Sequence, residues 1–344
     1  MNRSKIEWTD YTWNPITGCY HDCEYCYARK LTTRFGGDVR LNISDSRCLK
    51  VNGSGKPLYA LKEQFIGANN KAIAFPFGFT PTLHEYRLNR LESLKTGMKV
   101  FVCSMADLFG DWIPVEWILK VFSACQASPR HQYLFLTKNP HRYRELLDNE
   151  YLPKNQNMWF GYSVTKNGCM TFNSSEHKTF ISVEPLLEDI TDGLFSTDAG
   201  AAADWVIIGA ETGNRKDKVR PEIEWVERIL KHCDKHNIPV FMKDSLINVV
   251  GEENMRREFP EEMQQEVLSE KRELKLCSEC YKCHKHGKKS NMTAISTKKG
   301  KQGKGKTVAF VCDGCLPDFL KGIGFNGSKN EYKGPEETGD QTSG

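Results

Sequence analysis

The sequence predicts an α/β protein: a TIM-like (β/α) barrel, complete or partial, followed by a small zinc-ribbon-like β module. Three observations support this prediction. Short apolar runs alternate with amphipathic stretches, polar residues follow the runs, and cysteine pairs mark the C-terminal region. With 344 residues, 39% of them hydrophobic, the chain is long enough for one large domain and a smaller one.

Eight short apolar runs have the length and flanking residues of buried parallel strands, and the stretches between them include amphipathic helices. The strand candidates are residues 12–17, 72–75, 100–103, 133–136, 158–160, 180–183, 205–208 and 240–242. The clearest helix candidates are residues 115–127, 139–149 and 222–236. Repeated β-α units of this number favour a barrel.

Changes in composition divide the chain into four parts. We expect the barrel in residues 1–246, a helical charged connector in 247–273, and the zinc-ribbon-like module in 274–321. Residues 322–344 are rich in glycine, lysine, glutamate and serine, a composition typical of disordered tails.

We expect neither a membrane span nor export from this sequence. No stretch of about 18 apolar residues is present, and the first residues form no apolar signal segment. We therefore expect a cytoplasmic protein with no membrane span. In a reducing compartment the thirteen cysteines indicate metal binding or buried thiols rather than disulfides.

Three cysteines near the N-terminus carry the strongest chemical signal. Cys19, Cys23 and Cys26 form a C-x3-C-x2-C loop directly after the first predicted strand. Three thiolates are one fewer than a closed zinc site or a fully ligated iron–sulfur cube requires. Either His21 or Cys103 completes a structural zinc site, or one corner of a metal cluster stays open for chemistry.

Polar residues follow six of the predicted strands. In chain order they are Ser104 and Asp107, Thr137 and Lys138, Ser163 and Thr165, Glu184, Glu211 and Thr212, and Lys243 and Asp244. Barrel active sites are built at these strand ends, and the cysteine loop follows the first strand at the same edge. The alternative is that each strand simply ends in polar residues where it reaches the surface.

The cysteine loop resembles the hallmark of the radical S-adenosylmethionine superfamily, C-x3-C-x-aromatic-C, with Tyr25 at the aromatic position. The stretches WTDYTWNP (8–15), SMADLF (104–109), LTKNP (136–140), SVEPL (182–186) and IGAETG (208–213) are similar to an uncharacterised phage-associated family with this motif. That family is distantly similar to spore photoproduct lyase, a DNA-repair member of the superfamily. The similarity spans about residues 1–246.

The resemblance implies a 4Fe-4S cluster held by Cys19, Cys23 and Cys26. Its fourth iron would chelate S-adenosylmethionine, and an electron from a donor such as flavodoxin or ferredoxin would release a 5′-deoxyadenosyl radical. Many members bind the methionine amino group with a Gly-Gly-Glu-like stretch, but residues 75–82 here contain no acid. Backbone carbonyls near Gly78, or the later Ser104 and Asp107, are the candidates to replace it.

Other cofactor contacts are also inferred from the resemblance. Ser163 and Glu184 are candidates for the ribose or carboxylate of S-adenosylmethionine, and Tyr25 and Glu211 are further candidates for cofactor binding. Cys103 is the candidate catalytic residue, because radical repair enzymes can quench a product radical with a cysteine thiol. Core packing is the alternative role for this cysteine.

Two C-terminal cysteine pairs have the spacing of a structural zinc site. Cys277 and Cys280 form one C-x2-C pair, and Cys312 and Cys315 form the other. Four thiolates satisfy Zn²⁺ and would fold a module too small to have its own core. Cys283 is an alternative ligand in the first pair, His284 or His286 are further possible ligands, and a second iron–sulfur cluster is an alternative to zinc.

A basic stretch separates the two pairs. Residues 281–306 contain nine lysines and no acid, and glycines make residues 298–306 flexible. Such a segment is suited to phosphate contacts that are independent of sequence and sensitive to salt. It is equally consistent with a solvated hairpin tip.

Taken together, these features favour a radical S-adenosylmethionine enzyme that modifies or repairs a nucleic-acid base, with the zinc-ribbon-like extension holding the polynucleotide. One alternative is a radical enzyme that acts on a protein or peptide, with the lysine segment meeting an acidic partner. The other is a metal-stabilised nucleic-acid-binding protein without catalytic activity.

Overall fold

A parallel sheet and a smaller mixed sheet organise the N-terminal part of the chain. The computed structural model describes residues 2–36, 38–43, 49–52, 55–67, 70–94, 96–191, 203–213 and 215–263, and four strands after residue 276. The chain divides into two units, Met1–Gln264 and Gln265–Gly344.

The described strands, in chain order, are β1 (Asn2–Arg3), β2 (Tyr11–Trp13), β3 (Ile16–Thr17), β4 (Leu49–Asn52), β5 (Pro57–Leu61), β6 (Thr82–His84), β7 (Lys99–Val102), β8 (Gln132–Thr137), β9 (Met158–Ser163), β10 (Lys178–Val183), β11 (Val206–Ile208), β12 (Val240–Met242), β13 (Cys277–Glu279), β14 (His286–Lys288), β15 (Met292–Ser296) and β16 (Thr307–Cys312). The described α-helices are α1 (Tyr27–Phe35), α2 (Val39–Ile43), α3 (Val115–Gln126), α4 (His141–Asp148), α5 (Ile223–Lys235) and α6 (Ile247–Val250). Short 3₁₀ helices occupy Glu85–Ser93, Asp244–Leu246 and Glu252–Asn254.

The main sheet is a curled half-barrel with the strand order β1-β2-β7-β8-β9-β10-β11-β12. Strand β1 is antiparallel to β2, and the other seven strands run parallel. Helix α3 links β7 to β8, α4 links β8 to β9, and α5 links β11 to β12. The predicted α/β barrel is therefore a partial one.

The two faces of this sheet bury different side chains, because successive residues of a strand point to opposite faces. Phe135 and Phe160 lie on the helix side, where their rings stack with centroids 5.4 Å apart. The opposite, concave face carries a layer of mostly aromatic residues that we call the aromatic floor. Its buried members are Trp8, Phe101, Leu134, Trp159, Phe180, Trp205, Ile207, Phe241 and Met263.

The first predicted strand, residues 12–17, is divided between two sheets. Tyr11–Trp13 pairs with β7 in the half-barrel, whereas Ile16–Thr17 pairs with β6 in a second sheet of order β3-β6-β5-β4. Pro15 lies between the two strands, and proline has no N–H to donate to a ladder. The chain therefore leaves the half-barrel immediately before the cysteine loop.

The predicted second strand, residues 72–75, is wrong. Within this stretch Ala72 forms only an isolated antiparallel bridge with Ile66, and Ile73 N donates to Phe65 O at 2.9 Å. The run is short and ends at Pro76, which cannot extend a ladder. In the half-barrel β7 takes the place next to β2.

The remaining six predicted strands and all three predicted helices are present, with ends that differ by at most three residues. The first unit extends past residue 246, because the chain after β12 folds back onto the half-barrel. Phe259 packs against Trp205 and Phe241, and Met263 is buried in the aromatic floor. Residues 264–273 of the predicted connector lie outside the described residues.

The C-terminal unit contains two antiparallel strand pairs, β13 with β14 and β15 with β16. Cys277 begins β13 and Cys312 ends β16. The other two predicted zinc ligands, Cys280 and Cys315, lie outside the described residues, as do Cys283, His284, residues 298–306 and the tail 322–344.

In the part of the chain that the structure describes, no helix has the length and apolarity needed to cross a membrane.

Candidate functional site

The cysteine loop lies at the edge of the half-barrel where the parallel strands end. Gly18 pairs with Ala106 in a parallel bridge, and its N–H donates to Met105 O at 2.8 Å. Cys19 N donates to Phe79 O at 3.0 Å. The first cysteine is thus tied on one side to the turn after β7 and on the other to the segment before β6.

Only glycine fits at position 18. Its φ is +90°, a left-handed backbone conformation, and a Cβ there would lie 2.4 Å from Thr80 O. The glycine therefore lets the chain turn into the cysteine loop in direct contact with the neighbouring backbone.

A buried carboxylate, Asp107, holds the middle of the loop. His21 Nε2 donates to Asp107 Oδ2 at 2.7 Å, and because a carboxylate only accepts, this nitrogen carries the proton. Asp107 also accepts from Thr137 Oγ1 at 2.7 Å, from Lys138 N at 2.9 Å and from Phe109 N at 3.0 Å. Burial would raise the pKa of Asp107, but the hydrogen bond from His21 and those from Lys138 and Thr137 outweigh it and lower the pKa.

Two tyrosines of the loop region are anchored to the ends of β8 and β7. Lys138 Nζ donates to Tyr25 Oη at 3.0 Å and lies 5.1 Å from the centre of its ring. Tyr27 Oη donates to Ser104 O at 2.6 Å. Burial of the hydroxyl, together with the nearby Glu184 carboxylate, raises the pKa of Tyr27 to about 12.

The loop is also connected to the segment after β11. Arg215 binds Glu211 through two hydrogen bonds of 2.7 and 2.8 Å, and it reaches Glu24 of the loop at 3.4 Å. The guanidinium lowers the pKa of Glu211. Glu211, a predicted cofactor contact, is therefore engaged by Arg215 and takes part in positioning the loop.

The three thiols form no disulfide and are partly accessible. Burial raises the pKa of Cys19 to about 12, and the Asp107 carboxylate adds to the rise. Burial also raises the pKa of Cys23, although the Lys138 cation opposes it. Thiolates at these positions therefore need a strong positive partner, and metal ions provide one.

The thiol of Cys26 lies at a helix N-terminus. Cys26 is the residue before α1, and its N–H donates to Cys23 O at 3.1 Å. The unpaired N–H groups of the first helical turn carry partial positive charge and favour a negatively charged group. A cluster with thiolate ligands is such a group.

In the described part of the chain, no three His, Cys, Asp or Glu side chains are grouped as the ligands of one metal ion would be. Of the two residues suggested as a fourth zinc ligand, His21 is bonded to Asp107 through Nε2 and Cys103 is buried in the core.

Polar side chains continue the concave face above the aromatic floor. Residues an even number of positions apart along a strand point to the same face. Lys138 therefore lies on the face of Leu134, Ser163 on that of Trp159, and Glu184 on that of Phe180. In the same way, Lys243 lies on the face of Phe241, and Gly209 and Glu211 on that of Ile207. Lys243 forms an ion pair with Glu184 across Gly209, where a Cβ would lie 3.1 Å from the lysine and 3.3 Å from the glutamate. The concave face is thus apolar at its floor and charged at its mouth.

Three predicted site residues, Cys103, Ser104 and Asp107, lie in the turn directly after β7. Ser104 Oγ donates to Asn14 Oδ1 at 3.2 Å, and Asp107 is engaged by four donors, so neither is a ready ligand for an amino group. Cys103 is 2% exposed and belongs to the helix-side core. Its positive φ of 59° interrupts the alternation that would otherwise put residue 103 on the concave face with Phe101. This geometry favours the packing role for the thiol.

Sequence reasoning missed two residues that organise the site. Asn14 Oδ1 accepts from Ser104 Oγ and from Met105 N at 3.0 Å, which fixes the turn after β7. Arg215 comes from a loop with no pattern that would identify it. A count by two along each strand would have separated the polar residues of the concave face from those that point the other way, such as Thr137 and Asp244.

Comparisons with known proteins give a family but no activity. A family model described as a protein of unknown function, DUF5131, matches residues 3–307. Among solved structures, the chain is similar to a tyrosine-to-phenylalanine variant of spore photoproduct lyase, with a TM-score of 0.41, 11% identity, and coverage of 70% of this chain and 78% of that one. For spore photoproduct lyase complexed with dinucleoside spore photoproduct, the TM-score is 0.37 and the identity 12%, over 93% of this chain and 73% of that one. No curated protein matches the chain.

The role of Asp107 can be tested with an isosteric variant. In Asp107→Asn the side-chain NH₂ would face groups that themselves donate, leaving a buried N–H such as that of Lys138 without an acceptor. We expect the free energy of unfolding in urea to fall by about 1–3 kcal/mol and iron uptake by the reconstituted protein to fall with it.

The matched control is Asp148→Asn, at an exposed position at the end of α4. It should leave both stability and iron uptake unchanged. Wild-type iron uptake by Asp107→Asn would contradict the positioning role.

Proposed function

The chain belongs to the family of proteins of unknown function DUF5131, and we propose that it is a radical S-adenosylmethionine enzyme that modifies or repairs a nucleic-acid base. One observation carries the proposal. Three thiols without a disulfide, in C-x3-C-x2-C spacing, lie on a loop at the carboxyl edge of a parallel half-barrel, and separate segments of the fold hold that loop in place. This is the edge at which barrel enzymes do their chemistry.

The donor set suits an iron–sulfur cluster. Thiolates are the ligands of such clusters, and three of them leave one iron without a protein ligand. The α1 N-terminus beside Cys26 and the Lys138 ammonium near Cys23 both favour negative charge in the loop. When bound, the reduced cluster would supply the electron that cleaves S-adenosylmethionine into methionine and a hydrogen-abstracting 5′-deoxyadenosyl radical.

The chain's own residues would orient the cofactor and exclude water. The aromatic floor fills the concave face beneath the mouth, so water has no route to the site from that side. Tyr25 and Tyr27 flank Cys26 and are hydrogen-bonded to Lys138 and Ser104, which keeps the loop in one geometry.

Lys138 is our candidate ligand for the carboxylate of S-adenosylmethionine. Two other cations near the mouth, Lys243 and Arg215, are paired with Glu184 and Glu211. The Lys138 ammonium donates to the phenol oxygen of Tyr25, and among the described residues no carboxylate is in ion-pair contact with it. An incoming carboxylate would compensate this charge, while Ser163 and Glu184 on the same face remain candidates for the ribose.

Charge supports a polynucleotide substrate. The segment between the C-terminal cysteine pairs carries nine lysines and no acid, which suits contacts to phosphates. A base within a duplex would have to leave the stack to reach the mouth, at a cost of about a few kcal/mol. We propose that Cys277, Cys280, Cys312 and Cys315 bind Zn²⁺ and brace this extension. The cytoplasm, with an electron donor of the flavodoxin or ferredoxin type, suits chemistry that needs reduced thiols.

The radical chemistry is tested by anaerobic reconstitution followed by assay for 5′-deoxyadenosine, with and without DNA or RNA. The wild type should take up iron and sulfide and release the nucleoside, whereas Cys23→Ala should lose at least about 99% of this activity because one cluster corner has no ligand. The matched control is Cys169→Ala, which removes a partly exposed thiol outside the motif and should keep full activity. Equal activity in both variants, or zinc in place of iron in the loop, would refute the proposal.

The proposed role of Lys138 is tested by Lys138→Gln. Loss of a charge-assisted hydrogen bond, worth about 1.5–3 kcal/mol, should raise the dissociation constant for S-adenosylmethionine at least about tenfold in anaerobic equilibrium dialysis. Iron content is measured in parallel and the dissociation constant is referred to the iron-loaded fraction, because Lys138 also favours negative charge in the cysteine loop. Lys231→Gln, on the exposed face of α5, is the control. Unchanged affinity in Lys138→Gln would assign the carboxylate to another residue.

A further inference from the structure

Helix α1, which follows the cysteine loop, exposes an apolar stripe. Tyr27, Leu31 and Phe35 are 53%, 39% and 52% exposed. At 100° per residue these positions, four apart, fall within about 80° of one another around the helix. Leu41 and Ile43 of α2 are also exposed, at 69% and 39%. Among the described residues, α1 buries only Ala28 and Thr32 fully, so most of its surface faces solvent.

Cations border this stripe. Lys30 and Arg34 are exposed and lie four residues apart, within about 60° of Tyr27 on the side away from the buried face. The Arg34 guanidinium lies 5.4 Å from the centre of the Phe35 ring. Residues 27–43 contain four arginines and lysines and a single carboxylate, Asp38, whose Oδ1 accepts from Arg40 N at 3.0 Å at the start of α2.

The stripe begins at the site. Tyr27 directly follows Cys26, and its hydroxyl donates to the carbonyl of Ser104 at the end of β7. A ligand lying along α1 from Phe35 to Tyr27 would therefore end at the cysteine loop and the mouth of the half-barrel.

We propose that the exposed face of α1 and α2 binds a nucleic-acid strand with unpaired bases and leads it into the mouth. Bases stack on the rings of Phe35 and Tyr27, and phosphates bind Lys30, Arg34 and Arg40. Aromatic rings interleaved with cations are the means by which proteins hold single strands without sequence preference. The inference rests on the proposed function only in the chemistry done at the end of this path.

Charge argues against a second copy of the chain on this face. In a symmetric dimer the same patch meets itself, so a surface that carries Lys30, Arg34 and Arg40 would face another surface with the same cations. Like charges brought together in this way are destabilising. In a nucleic-acid strand the phosphates can bind the cations while the flat bases stack on the aromatic rings.

The test measures binding of the protein to a fluorescent single strand of about 12 nucleotides. Binding is monitored by fluorescence anisotropy at several salt concentrations, without S-adenosylmethionine. Leu31→Ala with Phe35→Ala should weaken binding at least about fivefold, the lower limit for one stacked base. Lys30→Glu with Arg34→Glu should reduce the slope of log affinity against log salt by about 1.4, the value for two phosphate contacts on a single strand.

Matched controls exist elsewhere on the surface. Tyr151→Ala removes a ring of similar exposure, 46%, and Lys231→Glu with Lys235→Glu reverses two exposed cations four apart on α5. Neither variant should change the affinity for the single strand, or the slope of log affinity against log salt, by as much as the α1 variants do. Circular dichroism and urea unfolding of each variant confirm that the fold is retained.

Three results would overturn the inference. The first is that both α1 variants bind the single strand as tightly as the wild type. The second is that the α1 variants lose binding to an acidic poly-glutamate peptide but keep binding to the strand. The third is that the wild type sediments as a dimer and that Leu31→Ala with Phe35→Ala converts it to a monomer. Because the assay involves no turnover, failure here leaves the radical chemistry standing. Absence of iron, conversely, would refute that chemistry and leave this binding result valid.

Discussion

The hydrogen bond between His21 and the buried carboxylate of Asp107 is the interaction on which the candidate site depends. A buried carboxylate is tolerated only when donors satisfy it, and Asp107 has four, from the cysteine loop, from its own turn and from the end of β8. One side chain therefore joins three segments that are distant in sequence. The position of the cysteine loop follows from the packing of β7 and β8.

A second constraint is the alternation of residues along the parallel strands. The same period that sends Trp159 and Phe180 into the aromatic floor sends Ser163 and Glu184 to the mouth. Burial of the floor stabilises the sheet, and the polar residues of the mouth are held in place by the strands that the floor stabilises. Stability and function thus use different positions of the same strands. A substitution in the floor is expected to lower stability, and one in the mouth to alter binding.

Much of the half-barrel could be predicted from the sequence, because buried parallel strands have short apolar runs and the helices between them are amphipathic. The errors have local physical causes. Pro15 splits the first strand between two sheets, and Pro76 ends an apolar run too short to enter a ladder. Neither effect is visible in hydrophobic periodicity alone.

The site was predictable in part for a similar reason. The cysteine spacing and the strand-end positions identify the edge at which the site lies, but hydrogen-bond partners depend on tertiary contacts. The left-handed backbone of Cys103 moves its thiol into the core, and a loop arginine, Arg215, engages Glu211. Secondary-structure propensity does not predict such contacts, since each joins residues that only the complete fold brings together.

The central claim is that the cysteine loop binds an iron–sulfur cube with one iron left open for S-adenosylmethionine. Mössbauer spectroscopy of anaerobic protein reconstituted with ⁵⁷Fe, before and after addition of S-adenosylmethionine, tests it most directly. We expect on the order of four irons per chain, one of which changes its spectrum when the cofactor is added. Zinc in the loop, or a cluster whose irons all keep the same spectrum in the presence of S-adenosylmethionine, would contradict it.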